Sequence, residues 1–321
     1  MALTLHGTVS DNTVALDRKT VPPIFINGDM AIWQRGTALA SSSGNYACDR
    51  FWYAGTGATS QRSTDVPSGF IYSNKLTYGS SDMSIGQPIE LPATGKQGIF
   101  IAGQTVTIAF YGKVDSGTEA ITVNINARNE KFSGTNSTSF TTSDNAVTLT
   151  TDWQRFTKTF TIPTINANNV MLAFELGGIS KTAYFTGFQC ELGTYDTNSI
   201  ADFQFEDVGT SLARCQRYYF KQGDEGGYAE LGSGGCESTS SAYIMINLPS
   251  TMRSSPSVSF TGNITLFDGD TFNTSSSIGS TQKGTNCLRL SVSANSSVAN
   301  GHGATLHVEN SSSFVEFASE L

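Results

Sequence analysis

At 321 residues the chain is long enough for two cores, while its formal net charge of −8 and the absence of any Lys/Arg-rich run exclude the clustered basic footprint of a nucleic-acid binder. Only 14% of residues are charged, against about 25% in an ordinary soluble domain, and hydroxyl and amide residues sit between aromatic and β-branched ones, as in a turn-rich sheet protein. Apolar runs are strand-sized, such as Val170 to Phe174, so no membrane insertion is expected, and Met1 to His6 lack the basic and apolar regions of a secretory signal.

Residues 1–23 read as an extended N-terminal arm. Leu3, Leu5, Val14 and Leu16 offer too little apolar surface for a core, and Pro22-Pro23 stops helix and central strand alike; residues 1–20 are expected to order on a partner protein. From 24 to 205 the apolar period is two. Val106, Ile108 and Phe110 share one face, as do Ile121, Val123 and Ile125, then Phe156, Phe160 and Ile162, then Val170, Leu172, Phe174 and Leu176, then Tyr184, Thr186, Phe188 and Cys190. Half-buried strands joined by polar, Gly-containing turns predict a jelly-roll-like β-sandwich. Over 206–220 the period changes: Val208, Leu212 and Cys215 fall at i, i+4 and i+7 behind Asp207, predicting a short linking helix capped by that aspartate. Strand patterns resume over 221–321, from Ala242–Leu248 to Phe314–Phe317, and predict a C-terminal β-sandwich; Gly232-Ser233-Gly234-Gly235 reads as a flexible turn. The fold class is therefore all-β, without the fixed-period repeat of a solenoid, propeller or triple β-helix stem.

Little in the sequence points to catalysis. His6, His302 and His307 are the only histidines, and an offset of five puts the last two on opposite faces of a strand, so no zinc site is expected. The widely spaced Cys48, Cys190, Cys215, Cys236 and Cys287 form no C-x-x-C pair and read as buried small hydrophobes. H-E-x-x-H and G-x-S-x-G are absent, and Asp224-Glu225 and Asp268-Gly-Asp270 are adjacent loop acids rather than carboxylates facing each other across a sugar. Asp268 and Asp270 lack the remaining ligands of a calcium loop. No catalytic residue, metal or cofactor is expected. Large amphipathic side chains remain, since a phenol or indole can stack on the C–H face of a sugar: Trp33, Trp52, Tyr53, Tyr228 and Tyr243 are the candidate ligand-binding residues, each competing with a place in the core.

The run Ile26-Asn-Gly-Asp-Met-Ala-Ile-Trp-Gln-Arg-Gly-Thr37, followed by Tyr46-Ala-Cys-Asp-Arg-Phe-Trp52, resembles the opening of carbohydrate-module-like jelly-roll domains in tail fibre and virion structural proteins of phages, notably those of marine bacteria and cyanobacteria. Ile101–Thr107, Trp153–Pro163, Phe188-Gln-Cys-Glu-Leu-Gly193, Leu212–Tyr219 and Met252-Arg-Ser-Ser-Pro-Ser-Val258 continue the series in order. The resemblance covers residues 24 to 260. It implies a tail fibre or receptor-binding subunit that adsorbs to a host-surface glycan through a multivalent homotrimer, joined to other virion proteins by residues 1–20 and located in the virion after assembly in the bacterial cytoplasm. A head fibre or capsid decoration protein fits the same series, and a glycan-degrading virion enzyme would need an acidic cleft that the sequence does not show. The collagen-like or coiled-coil stem common in such proteins is missing. The landmark residues read as scaffold: Asp49 and Arg50 as buried polar anchors, and Trp153 as a strand start whose loss would cost about 3–5 kcal/mol if buried.

Overall fold

The computed structural model describes residues 22–40, 45–92, 98–129, 136–140, 142, 144–223 and 228–320. The arm expected at 1–20 and the Asp224-Glu225 pair lie outside these residues. The first domain contains β1 (Ala38–Ala40), β2 (Asn45–Tyr46), β3 (Trp52–Ala54), β4 (Thr59–Ser63), β5 (Ser73–Thr77), β6 (Met83–Glu90), β7 (Thr105–Val114), β8 (Glu119–Arg128), β9 (Asn136–Ser139), β10 (Ala146–Leu149), β11 (Gln154–Thr161), β12 (Met171–Ile179) and β13 (Ala183–Leu192). They make two sheets, ordered β1-β4-β5-β13-β7-β11 and β10-β8-β12-β6-β3-β2, with β9 on β8. Between them lies one core in which Val106, Ile108 and Phe110 from the first sheet meet Val123, Ile125, Leu172, Phe174 and Leu176 from the second, which is the two-residue alternation at work.

Bulges break that alternation in β12, between Leu176 and Ile179, and in β13. Thr186 pairs with Tyr111 but Gln189 pairs with Ala109, so β13 holds one extra residue. Gly187 sits in the bulge at φ +64°, where a Cβ would meet the Tyr111 and Phe70 rings at 2.7 and 2.8 Å. Phe185 and Phe188, three apart, therefore both enter the core. Tyr184, expected on the face of Phe188 and Cys190, is instead on the outer face.

The linking helix is α1 (Val208–Gln216), with the Asp207 carboxylate accepting from the Thr210 N–H at 3.1 Å as an N-cap. Its buried side is Ser211 and Cys215, and Val208 is exposed; the first turn projects beyond the surface that the helix packs on. Beyond it come β14 (Tyr219–Gln222), β15 (Glu230–Cys236), β16 (Ser241–Asn247), β17 (Ser257–Thr261), β18 (Ile264–Phe267), β19 (Phe272–Lys283), β20 (Cys287–Ala294), β21 (Gly303–Val308) and β22 (Phe314–Ala318). Where alternation predicts a second sandwich, six strands close into a barrel, β15-β16-β20-β19-β18-β21, beside a three-stranded sheet β14-β22-β17. Alternation is common to sandwich and barrel; closure depends on β15, the segment expected as a turn. There Gly234 lets the backbone of β16 approach so closely that a Cβ would stand 1.8 Å from the Tyr243 carbonyl oxygen. Among the described residues no helix is long and apolar enough to cross a membrane.

The two domains meet around the buried guanidinium of Arg50. It lies over the Tyr218 ring at 3.5 Å, donates to the Pro88 carbonyl at 2.7 Å and pairs with the Glu320 carboxylate. Arg35 lies over Tyr219 at 3.5 Å and reaches Glu320 at 3.0 Å. Gln34 donates to the Tyr219 carbonyl at 3.0 Å, and Arg253 donates to the Ser319 and Glu320 carbonyls. Asp49 accepts from the Gln34 backbone and side chain, and Asn27 binds the Ile32 and Asp49 carbonyls through its side-chain amide. The landmark motifs thus hold the domains together as well as starting the sandwich.

Removing one partner of a buried ion pair strands the other charge, so Arg50→Ala is expected to lower global stability by about 3–5 kcal/mol in denaturant melts, with Glu320→Ala close behind. Burial pushes the Asp49 carboxyl up to about 6, with Arg35 and the Gln34 hydrogen bond pulling back only in part. The folded protein then keeps a proton that the unfolded chain releases near pH 4, so this group favours folding below about pH 4 and loses that contribution as pH rises through about 6. Thermal melts across that window are expected to show a smaller fall of stability with rising pH in Asp49→Asn than in the parent chain.

Candidate functional site

The candidate binding aromatics do not come together. Trp33 is in the core with its indole N–H donating to the Met30 carbonyl at 2.7 Å, and Tyr53 is fully buried, so neither can face a ligand. Trp52 is on the outer face of the second sheet, 9% exposed and packed with Tyr46, Ala54 and Ala173. Tyr228 is exposed at φ +66°, and Tyr243 lies half-buried on β16 under the Arg289 guanidinium at 4.0 Å; both belong to the C-terminal domain. Asp268, considered for calcium, spends its carboxylate on the N–H groups of Asp270, Thr271 and Ala299, which hold it below the usual carboxylate range. No cluster of three or more His, Cys, Asp or Glu among the described residues could hold a metal.

A different set of side chains is aligned on the outer face of the first sheet. Register places Gln61 on β4 opposite Lys75 on β5, Lys75 opposite Tyr184 on β13, and Tyr184 opposite Lys113 on β7. With neighbouring strands about 4.8 Å apart, the row spans roughly 14 Å across the sheet. Trp153, just before β11, extends it: its ring stands edge-on to Tyr184 at 6.4 Å between centroids. Gln61 is exposed, and Lys75, Lys113, Tyr184 and Trp153 are half-buried. Asp65 ties one end down, accepting from the Trp153 indole N–H at 2.9 Å and pairing with Lys113 at 2.5 Å. Partial burial raises the Asp65 pKa, but these two hydrogen bonds outweigh it and hold the carboxylate below its ordinary range. The other half of this face is covered by Phe70, Phe203, Phe205 and Tyr111, whose rings pack 4.9–5.4 Å apart. What stays open is a shallow strip with two aromatic rings and an amide and two ammonium groups beside them.

Two other surfaces stand apart from this strip. An open groove of about 540 Å³ lies between Pro22-Pro23, the end of β6 and α1, but its cations are already engaged, Arg214 with Glu206 and Arg217 with Glu90. On the barrel, Phe272 is exposed and stacks on Phe267 at 4.4 Å, with the His307 ring 5.5 Å away; it is a single exposed ring rather than a row of them.

Residues 52–183 match the family model of a carbohydrate binding domain. That segment is similar to a carbohydrate binding domain; the match opens at Trp52, includes Lys75, Lys113 and Trp153, and ends beside Tyr184. Among solved structures, similarity extends to the CBM22-1 xylan-binding domain of Paenibacillus barcinonensis (13% identity, 54% of this chain and 96% of that one, TM-score 0.33) and to a CBM4 structure (25% identity, 52% and 97%, TM-score 0.32). The enzymatically active domain of a bacteriophage CBA120 tailspike is also similar (11% identity, TM-score 0.32); the likeness takes in 53% of this chain but only 21% of the tailspike chain. No curated protein matches the sequence. The fold itself is defined by the strand order above.

Tyr184 and Trp153 escape a sequence reading because alternation, continued unbroken through β13, turns Tyr184 inward, and a tryptophan at a strand start reads as core. The signal that exposes Tyr184 is Gly187, a glycine inside a strand pattern, which marks a bulge. Because Trp153 is only half-buried, Trp153→Ala is expected to cost about 1–2 kcal/mol in denaturant melts, well below the about 3–5 kcal/mol of a core tryptophan.

Proposed function

We propose that this chain is a non-catalytic, glycan-binding subunit of a bacteriophage particle, a tail fibre or receptor-binding protein that touches the host surface through the Gln61–Lys75–Tyr184–Lys113–Trp153 strip. The observation that carries the binding reading is that strip: two half-buried aromatic rings with an amide and two ammonium groups beside them, inside and beside the segment that matches a carbohydrate binding domain. Aromatic rings pack on the C–H faces of sugars while adjacent amide and ammonium groups bond the hydroxyls, and the absence of a deep pocket suits a polymer lying across strands. The virion setting rests on the ordered landmark series from Ile26 to Val258, whose members hold this sandwich and join it to the C-terminal domain.

A shallow strip gives weak contacts. In a homotrimer, with residues 1–20 fixed to other virion proteins, several such contacts act at high effective concentration and adsorption becomes tight without any single deep site. Binding of the intact chain to host-surface polysaccharide, measured by affinity electrophoresis, is expected to fall about fivefold or more in Tyr184→Ala with the melting midpoint nearly unchanged, since stacking on one aromatic face contributes on the order of 1 kcal/mol or more. Unaltered retention of Tyr184→Ala would remove the strip from the binding account.

A further inference from the structure

Resting on the reading of this strip as a glycan contact, we propose that its ligand is an acidic polysaccharide, one whose sugars bear carboxylates. Tyr184 is flanked by cations from both neighbouring strands: the Lys75 and Lys113 ammonium groups stand 5.7 and 5.1 Å from its ring centroid. Lys113 is neutralised by Asp65. Lys75 has no ion-pair partner among the described residues, and both lysine side chains are half-buried against the sheet. The strip thus keeps one net positive charge in a chain of formal charge −8.

That placement is unusual for this molecule. Charged residues are only 14% of the sequence, and solvation elsewhere relies on hydroxyls and amides. A neutral sugar stacked on Tyr184 needs only such groups; the Lys75 ammonium beside the ring adds a field that a neutral ligand does not use. A carboxylate on a sugar lying over Tyr184 falls beside Lys75, whose ammonium stands 5.7 Å from the ring centroid, and a charge-assisted hydrogen bond is roughly twice as strong as a neutral one. Gln61, next in the row beyond Lys75, supplies an amide for the hydroxyls of the adjoining sugar. The net positive strip also discriminates by sign, because it offers a local attraction to an anionic chain on a molecule whose formal charge of −8 otherwise disfavours one.

The test uses the intact chain in affinity electrophoresis against polygalacturonate, alginate and hyaluronate, against the methyl-esterified form of polygalacturonate, in which the same backbone has its carboxylates masked, and against neutral xylan and β-glucan. Retention is expected with at least one carboxylate-bearing polymer, about tenfold stronger than with its esterified or neutral counterparts. It should weaken about tenfold in Lys75→Gln, survive in Lys75→Arg, and weaken in about 1 M salt, where the screening length falls to roughly 3 Å. Neutral polymers bound as tightly as acidic ones, with Lys75→Gln unchanged and Tyr184→Ala defective, would overturn the acidic ligand and leave the glycan contact standing. Acidic polymers bound equally by the parent chain, Lys75→Gln and Tyr184→Ala would place recognition elsewhere and overturn the inference. No retention by any polymer would overturn the glycan contact with it.

Discussion

The structure depends on neutralising one buried guanidinium. Arg50 is almost wholly enclosed and held at φ +70°, a conformation that an L-residue adopts only when its surroundings demand it. Its charge is compensated by Glu320, far away in sequence and just past the last strand of the second domain, and by the Tyr218 face and the Pro88 carbonyl. An arginine in this position without Glu320 would carry an unpaired buried charge, so folding of the first domain and docking of the second are coupled through it. The coupling reaches the outer face. Phe51, next to Arg50, packs on Phe188 at 4.8 Å, and Phe188 is fixed by its N–H to the Gly28 carbonyl at 2.9 Å. The bulge before Phe188 turns Tyr184 outward. The interdomain lock and Tyr184 are thus two ends of one packed series, which places that ring on a strand of the sheet rather than on a loop.

Much of the first domain is legible from alternation alone. Val106, Ile108, Phe110, Ile121, Val123 and Ile125 are buried as their spacing requires, because a strand between a core and solvent leaves no other choice of face. The same rule misplaces Tyr184, since one inserted residue inverts everything on one side of it. It also cannot distinguish a barrel from a sandwich: Ala242, Ile244 and Ile246 point inward in either, and what closes the barrel is backbone proximity at Gly234, in a run whose composition resembles a turn. Asp207 is recognisable as a cap because its chemistry is local; Glu320 is not, because nothing near it in sequence names its partners.

The candidate site was less legible than the fold. Trp33 and Tyr53 are large and amphipathic, as binding residues are, yet the same size that suits a sugar face suits a core, and sequence gives no sign of which demand is met. Trp153 differs only in position: it precedes β11 at the margin of the sheet, where Asp65 can satisfy its indole N–H without burying the ring. The strip is also an arrangement across β4, β5, β13 and β7, from residues between 61 and 184 in the chain, and only register brings them into one row.

The three tryptophans offer the most direct test of where a glycan lands, because Trp33 is in the core, Trp52 is on the far sheet and Trp153 is on the strip. The measurement is the NMR spectrum of the indole N–H groups while the intact chain is titrated with the polysaccharide that it retains most strongly. Movement of the Trp153 resonance with Trp33 and Trp52 stationary is the expected result. Movement of Trp52 alone, or saturation with all three resonances unmoved, would contradict the assignment of the glycan contact to the outer face of the first sheet.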